Sequence, residues 1–196
     1  MRATLDKFAS TVGIALVAVL LVAGGLLTWA SGFIGDQVYS QLSAQNITMP
    51  TEEAYADFPQ ADQDALAPYA GEALTTGAQA RAYADHYIAV HMDEMADGQT
   101  YSEISGQYLA MTDKQKASDE GVALGQLRQT LFMGNTLRGL LLYGFAFATI
   151  GTVAGYAAVA SFVGAGIMLV LVVAGLRHAR KAQVEAPAQT PAAAAV

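Results

Sequence analysis

Two long apolar stretches flank a polar middle region in this chain. Residues 11–34 contain no charged side chain, and neither do residues 139–176. At a rise of about 1.5 Å per residue, the first stretch forms a helix about 36 Å long, which is enough to cross a hydrocarbon core of about 30 Å. The pattern therefore predicts a mainly α integral membrane protein whose N-terminal transmembrane helix covers residues 11–34.

The residues around this first stretch favour an uncleaved signal anchor. Arg2 and Lys7 precede it, and Trp29 lies near its far end, where an indole ring suits the headgroup region. The small residues at 30–32 also resemble a peptidase site, so a cleaved signal peptide is the alternative. A signal-peptide core usually spans only about 7–15 residues. The longer run favours the anchor, with residues 1–10 in the cytoplasm.

The second apolar stretch is too long for one crossing. Its 38 residues would form a straight helix about 57 Å long, which even a strongly tilted crossing does not use. We predict a hairpin of two transmembrane helices within residues 137–176, at about 139–153 and 157–176, with the turn near 151–156. The alternative is one long helix and two crossings in all, with residues 140–150 buried in the outer domain or lying at the membrane interface.

The basic residues after this stretch favour that alternative. Arg177, Arg180 and Lys181 resemble a cytoplasmic stop signal, whereas three crossings from a cytoplasmic N-terminus would place them outside. Residues 177–196 are predicted to be this basic cluster followed by a disordered tail, rich in alanine and proline, from Gln183 onward. The number of crossings therefore stays open between three and two at this point.

The polar middle region, residues 35–136, is strongly acidic. Between Asp36 and Asn135 there are 15 acidic side chains and only 4 basic ones. Basic residues concentrate on the cytoplasmic side of a membrane, so their scarcity predicts an extracytoplasmic domain. We therefore expect a multi-pass protein of the bacterial cell (plasma) membrane, with this domain on the outer side.

Composition excludes several classes of function. Charged residues make up 14% of the chain, well below the roughly one quarter that is usual for soluble domains. The net charge of −7 argues against nucleic-acid binding, because phosphate neutralisation needs a basic surface. The chain has no cysteine, which excludes disulfides and thiolate metal sites.

The start of the acidic domain is predicted to be helical and then extended. The first helix should continue past the membrane with Val38, Tyr39 and Leu42 on one face. Residues 46–50 are predicted to be extended, because the residue before a proline avoids the helical region. Thr51 is a suitable N-cap for a short helix that follows. No alternating strand pattern is present in the domain.

The middle of the domain contains its strongest helix signal. Residues 60–76 are predicted to be loop-rich, and a helix at about 78–96 should end at Gly98 as a C-cap. Apolar residues of this helix recur at amphipathic spacing. That stripe, which should face the core, consists of Ala80, Tyr83, Tyr87 and Val90.

Two further helices complete the domain. Thr100 and Glu103 match a capping box, which predicts a helix that begins at about residue 101. A last helix, from about Asp113, should run directly into the membrane through an apolar face. That face consists of Leu124, Leu127, Leu131 and Phe132.

The domain's two histidines are the first candidates for a metal site. Imidazole and carboxylate groups are common zinc and iron ligands. Five residues separate His86 from His91, which places them about 140° apart around an α-helix, so they cannot share an ion as an i, i+4 pair can. His91 with Glu94 supplies only two ligands. We therefore predict no metal site and no bound cofactor, with these three residues as weak candidates.

An acidic calcium site is a further possibility that the spacing disfavours. Three aspartates lie close together in sequence, at Asp57, Asp62 and Asp64. They lack the glycine and glutamate of an EF-hand loop, so a solvated acidic loop is the preferred interpretation. Nucleophile triads, phosphate loops and dinucleotide fingerprints are also missing from the sequence.

Small residues recur along one face of the second apolar stretch. Such residues let helix backbones approach closely in lipid, and Gly24 and Gly25 of the first helix are plausible partners. This face predicts either packing within the chain or association with other membrane subunits or a second copy. Its members are Gly144, Ala148, Gly151 and Gly155.

Three short segments carry a resemblance to a known family. They are Gln45-Asn46-Ile47-Thr48, the stretch from His86 to Asp97-Gly98-Gln99-Thr100-Tyr101-Ser102-Glu103, and Leu137-Arg138-Gly139. In this order they resemble actinobacterial integral membrane proteins with an N-terminal anchor, an outer helical domain and a C-terminal membrane region. The resemblance implies location and architecture but no established activity. Some members are labelled aromatic ring-opening dioxygenases, which need two histidines and a carboxylate on one iron. We do not extend that label to this chain, since its third histidine, His178, is far from the other two in sequence.

These observations predict a non-enzymatic envelope protein. The preferred role is an accessory or scaffolding subunit of a larger membrane complex, in contact with the lipid bilayer and with other membrane proteins. The alternative is an extracytoplasmic module that binds or senses a ligand or cation. The absence of ionisable residues inside both apolar stretches argues against a transporter acting alone.

Overall fold

The computed structural model describes residues 2–184 as a helical chain without strands in that range. Its α-helices are α1 (Arg2–Ala44), α2 (Gln60–Leu66), α3 (Gly77–Ala82), α4 (Ala89–Met95), α5 (Tyr101–Ala110), α6 (Asp113–Lys116) and α7 (Asp119–Val184). Short 3₁₀ turns occupy Glu52–Tyr55 and Ala67–Tyr69, and a π-helical segment, Tyr83–Ile88, joins α3 to α4. The first two residues of the predicted tail, Gln183 and Val184, belong to α7, and residues 185–196 lie outside the described residues.

The predicted hairpin is wrong, because α7 is one continuous helix of 66 residues. No proline interrupts it, and the glycines near 151–156 remain helical. Three hydroxyl groups donate to the carbonyl four residues earlier: Thr149 at 2.9 Å, Thr152 at 3.0 Å and Ser161 at 2.8 Å. A turn there would leave backbone donors and acceptors without partners in lipid, whereas an unbroken helix satisfies them internally. α1 and α7 are both long and apolar enough to cross a membrane.

The chain divides into two compact units. The first, here the helix-pair unit, comprises residues up to Ser31 and from Val153 onward. Within it, a methyl group added at Gly155 would meet Ser31, one at Gly24 would meet the Phe162 ring, and one at Gly175 would meet Ser10. Residue numbers along α7 therefore decrease as the numbers of their contact residues along α1 increase. The two helix segments of this unit therefore pack antiparallel and in close contact.

The second unit, here the domain unit, covers Gly32–Thr152. Its main core consists of Leu42, Met49, Tyr55, Phe58, Leu66, Leu74, Ala80, Ala82, Ala84 and Leu141. Val38 packs against this core beside Leu42, but Tyr39 is 60% exposed, so the three do not share a face as predicted. Consecutive helical residues point about 100° apart, which turns Tyr39 away. The core draws side chains from both α1 and α7.

A smaller core fills the other part of the domain unit. It consists of Met92, Ala96, Ile104 and Leu131, with Leu124 and Leu127 packed against it. Phe132 was predicted to share the inward face, but it is 51% exposed. The helix predicted from about Asp113 is split: α6 ends at Lys116, and α7 begins at Asp119. The chain passes so close to Gly121 that a methyl group there would meet the backbone of Gln115 and Lys116.

The segment between α1 and α3 is more ordered than the sequence predicts. Residues 47–50 are extended as expected, with one isolated bridge between Thr48 and Ala73. Asn46, which was predicted to be extended with them, instead lies in a turn with φ of +51°. Thr51 occupies the N-cap position of a 3₁₀ turn without a side-chain capping bond. The predicted loop over residues 60–76 is wrong in its first half, where α2 forms. The Gln63 amide donates to the carbonyls of Ala56 and Phe58, which anchors this helix to the preceding turn.

The strongest predicted helix is confirmed, with one modification. A helical run covers α3, the π segment and α4, and every residue of the predicted stripe lies in or against the main core. Gly98 has φ of +75° and donates its N–H to the Asp93 carbonyl, so it ends the run as expected. The Thr100–Glu103 capping box is also present, and hydrogen bonds from the Thr100 N–H and hydroxyl lower the pKa of Glu103.

Candidate functional site

The π segment is the most distinctive feature of the domain unit. Its hydrogen bonds run from residue i to i−5, so that the Ala89 N–H donates to the Ala84 carbonyl. Such segments are rare in helices and frequently occur at functional sites. The segment carries Asp85 and His86, and these two side chains form the principal polar contacts of the domain unit described next.

Arg138 of α7 holds the π segment from one side. Its Nε donates to the Ala84 carbonyl at 2.9 Å, and its Nη2 donates to Asp85 Oδ1 at 3.0 Å. The side chains of Arg138 and Asp85 are only 29% and 30% exposed. Arg81 approaches the other carboxylate oxygen at 3.8 Å and is 58% exposed, so its contact is weaker. The planar guanidinium thus fixes a backbone carbonyl and a carboxylate at once.

His86 is held from α2. Its Nδ1 lies 2.8 Å from Asp62 Oδ1, so these two groups form a half-buried pair rather than a solvated acidic loop. Asp64, by contrast, accepts from the Gln60 amide at 2.8 Å. His91 lies 3.7 Å from Glu94 but directs its ring against aromatic neighbours. Within residues 2–184, no group of three or more His, Asp or Glu side chains is placed to hold a metal ion.

An aromatic cluster surrounds His91. Its ring packs edge-on against Phe58 at 5.1 Å and against Tyr87 at 4.6 Å, between ring centroids. Tyr83 lies 5.1 Å from Tyr87, and burial, together with that neighbouring phenol, raises the pKa of Tyr83. In the adjoining core, burial and the nearby Glu52 carboxylate raise the pKa of the Tyr55 phenol. These phenols therefore stay protonated at neutral pH and act as packing groups.

The predicted small-residue face is filled by contacts within the chain. In the domain unit, Ala148 packs against Gly77 at the start of α3, and Gly144 faces Leu42. In the helix-pair unit, Gly155 packs against Ser31. Gly24 and Gly25 are not its partners, since Gly24 faces Phe162 and Gly25 has no such neighbour (the fourth member of the face, Gly151, is buried). These contacts favour packing within the chain, the first of the two alternatives that the sequence predicts for this face.

An apolar groove lies between α1 and α7 within the domain unit. It has a volume of about 480 Å³, which is in the range of small-molecule sites. Its apolar walls are formed by Phe33, Ile34, Val38, Leu42, Leu140 and Phe147. Three amides, those of Gln37, Gln41 and Gln45, line it from α1 at four-residue spacing. The four-residue spacing of these glutamines is the sequence signal for the groove, which hydropathy alone did not predict.

The geometry is the available guide to function. The chain matches no protein-family profile, no curated protein and no solved structure. Two features of the domain unit are thus the candidates: the polar cluster around the π segment and the apolar groove. The polar cluster is internally paired, with His86 to Asp62 and Arg138 to Asp85. The groove has room for a molecule that is not part of the chain.

Proposed function

We propose that the protein is a two-span envelope membrane protein that acts by binding, as an accessory subunit of a larger membrane assembly. The observation that carries this proposal is the exposed apolar surface of the long helices. Only 11% and 17% of the residues in their most apolar windows are buried within the chain. Tyr156, Val163 and Val170 of α7 are 74%, 56% and 68% exposed at seven-residue spacing, which forms a continuous stripe. Such a stripe needs lipid or another helix against it.

Two crossings also account for the length of the second apolar stretch. Leu141, Gly144 and Ala148 pack inside the domain unit, which removes residues 139–152 from the span. The remaining 24 residues, 153–176, form a helix about 36 Å long, the same as residues 11–34. Each segment therefore suits one crossing of a hydrocarbon core of about 30 Å.

Two crossings resolve the conflict among the basic residues. Both ends of the chain then lie on one side of the membrane, so Arg2 and Lys7 share that side with Arg177, Arg180 and Lys181. This side is the cytoplasm by the positive-inside rule. The acidic domain is then extracytoplasmic, as its charge balance predicts.

A labelling experiment tests this topology. Single cysteines at Ser118 and Thr190, in a chain without native cysteine, would be treated in intact cells with a membrane-impermeant maleimide. We expect labelling at Ser118 and none at Thr190 until the cells are permeabilised. Labelling of both positions in intact cells would overturn the two-span arrangement.

The accessory-subunit role predicts a stable complex. After extraction in a mild detergent, the protein should elute well above its monomer mass of 20.4 kDa plus micelle and bring other membrane polypeptides with it. Replacing Val163 with arginine should disperse the complex, because a buried charge in a helix interface in lipid is costly. An Asp113→Ala variant, altered in the short α6, serves as the matched control. Recovery of the unmodified chain only as a monomer would refute this role.

A ligand-binding role is the second candidate, and the groove is the observation that favours it. The ring-opening activity associated with the resembled family is not part of this role, because it needs two histidines and a carboxylate on one iron. Here His86 pairs with Asp62, and His91 packs among aromatic rings. The resemblance itself remains a prediction about architecture.

A further inference from the structure

The groove of the domain unit is built with a gradient of polarity along α1. Phe33 and Ile34, the last residues of the predicted first span, line its apolar end. Moving away from the membrane along α1, Gln37, Gln41 and Gln45 follow at intervals of about 6 Å. The groove thus begins where the hydrocarbon is expected to end and becomes polar beyond it.

The polar part of the groove carries no charge. The side-chain amides of Gln37, Gln41 and Gln45 make no hydrogen bond to other groups in the described part of the chain, and each presents both donors and an acceptor. No charged side chain lines the groove. Residues this close on one helix face, at i, i+4 and i+8, can contact one elongated polar group together. An uncharged polar group with hydroxyl or ester oxygens, such as a lipid headgroup, can form hydrogen bonds with these three amides.

The length and position of the groove suit an acyl chain. From Phe33 to Gln45 it extends about 18 Å along α1, and its volume is about 480 Å³. Its apolar end starts at the expected edge of the hydrocarbon, so an acyl chain, one methylene wide, can pass from the bilayer into it.

We propose that this groove binds one acyl chain of a membrane lipid, whose uncharged hydrogen-bonding head lies against Gln37, Gln41 and Gln45. Phe33, Ile34 and Phe147 enclose the chain, and the amides select the head. The inference rests on the membrane location proposed above and is independent of the accessory-subunit role. The proposed ligand is a diacylglycerol-type lipid. A charged headgroup is disfavoured because no side chain of opposite charge lines the groove.

Native mass spectrometry of the full chain tests the proposal. Protein purified in mild detergent should retain one lipid per chain, and titrated dioleoylglycerol should bind at least five-fold more tightly than anionic dioleoylphosphatidylglycerol. Gln41→Trp, which fills the groove from an exposed position, should reduce lipid retention at least ten-fold. Tyr39→Trp is the matched control, because Tyr39 is exposed two residues away and does not line the groove; it should leave retention unchanged.

A second variant keeps the apolar walls of the groove and changes only the residues proposed to contact the lipid headgroup. Replacing all three glutamines with leucine should abolish the preference for dioleoylglycerol while an acyl chain still binds. Equal lipid retention in Gln41→Trp and Tyr39→Trp would overturn the proposal, and so would tighter binding of the anionic lipid. It would also be overturned if Gln41→Trp released a bound polypeptide in place of a lipid. Loss of the larger assembly with retained lipid would refute only the accessory-subunit role.

Discussion

Truncation of Leu141 to alanine is expected to destabilise the domain unit by about 2–5 kcal/mol. The leucine is 1% exposed and packs in the main core with residues from several helices, including Leu42 and Leu66. Removing one buried methine and two buried methyl carbons loses their transfer free energy and leaves a cavity that a close-packed core fills only in part. The free energy of unfolding would be measured on the full chain in mild detergent, from urea titrations followed by circular dichroism.

The neighbouring residue provides a matched control. Leu140 is 58% exposed, so Leu140→Ala should change the free energy of unfolding by no more than about 0.5 kcal/mol. The contrast also tests the position of this part of α7. If residues 139–153 formed a separate membrane helix, neither leucine would contribute to a core with Leu42. Equal, small effects of both truncations would therefore contradict the packing of α7 into the domain unit.

Features set by nearby residues were predictable from the sequence. The capping box at Thr100 and the C-cap at Gly98 each depend on residues within one turn, and both are confirmed. The inward stripe that includes Ala80 and Tyr87 is confirmed too, because amphipathic spacing identifies the buried face of a helix whichever element covers it.

The continuity of α7 was not predictable from hydropathy. The predicted hairpin divides the apolar stretch on length and places all of it in lipid, whereas the alternative of one long helix places residues 140–150 in the outer domain or at the membrane interface. Part of it faces protein instead, since Leu141 lies in a core that residues as distant as Met49 complete. An apolar residue in a membrane span and one in a protein core look the same in sequence. The basic cluster at Arg177 had favoured the alternative of one long helix.

The polar contacts of the site were also missed, for a related reason. His86 and Asp62 are 24 residues apart, and Arg138 and Asp85 are 53 apart. No local rule pairs groups at such separations. The π segment has no composition signal either, and an α-helical projection therefore assigned His86 and His91 to positions on a regular helix that the chain does not form.

Replacement of Arg138 by methionine is expected to cost the domain unit about 1–3 kcal/mol. The change keeps much of the side-chain volume but removes both hydrogen bonds, so Asp85 loses its closest cation and the Ala84 carbonyl loses its second donor. The loss of stability should be smaller than that caused by breaking a fully buried ion pair, because Arg81 remains near the Asp85 carboxylate. Arg138→Lys should recover only part of the stability, since an ammonium cannot reproduce the planar contact with both acceptors.

A double-mutant cycle separates the ion pair from the carbonyl contact. If Arg138 acts mainly through Asp85, Arg138→Met combined with Asp85→Asn should cost less than the sum of the single changes, by about 0.5–3 kcal/mol. Arg128→Met is the control: its guanidinium donates to a neutral hydroxyl, that of Ser105 at 2.9 Å, so we expect a loss of stability of about 1 kcal/mol or less.

Hydrogen exchange measures the local effect of these substitutions on the π segment. Amides of the π segment should lose protection in Arg138→Met and retain it in Arg128→Met, because Arg138 donates to that segment whereas Arg128 donates to Ser105. Unchanged protection in both variants would show that the segment holds its shape without the Arg138 contact.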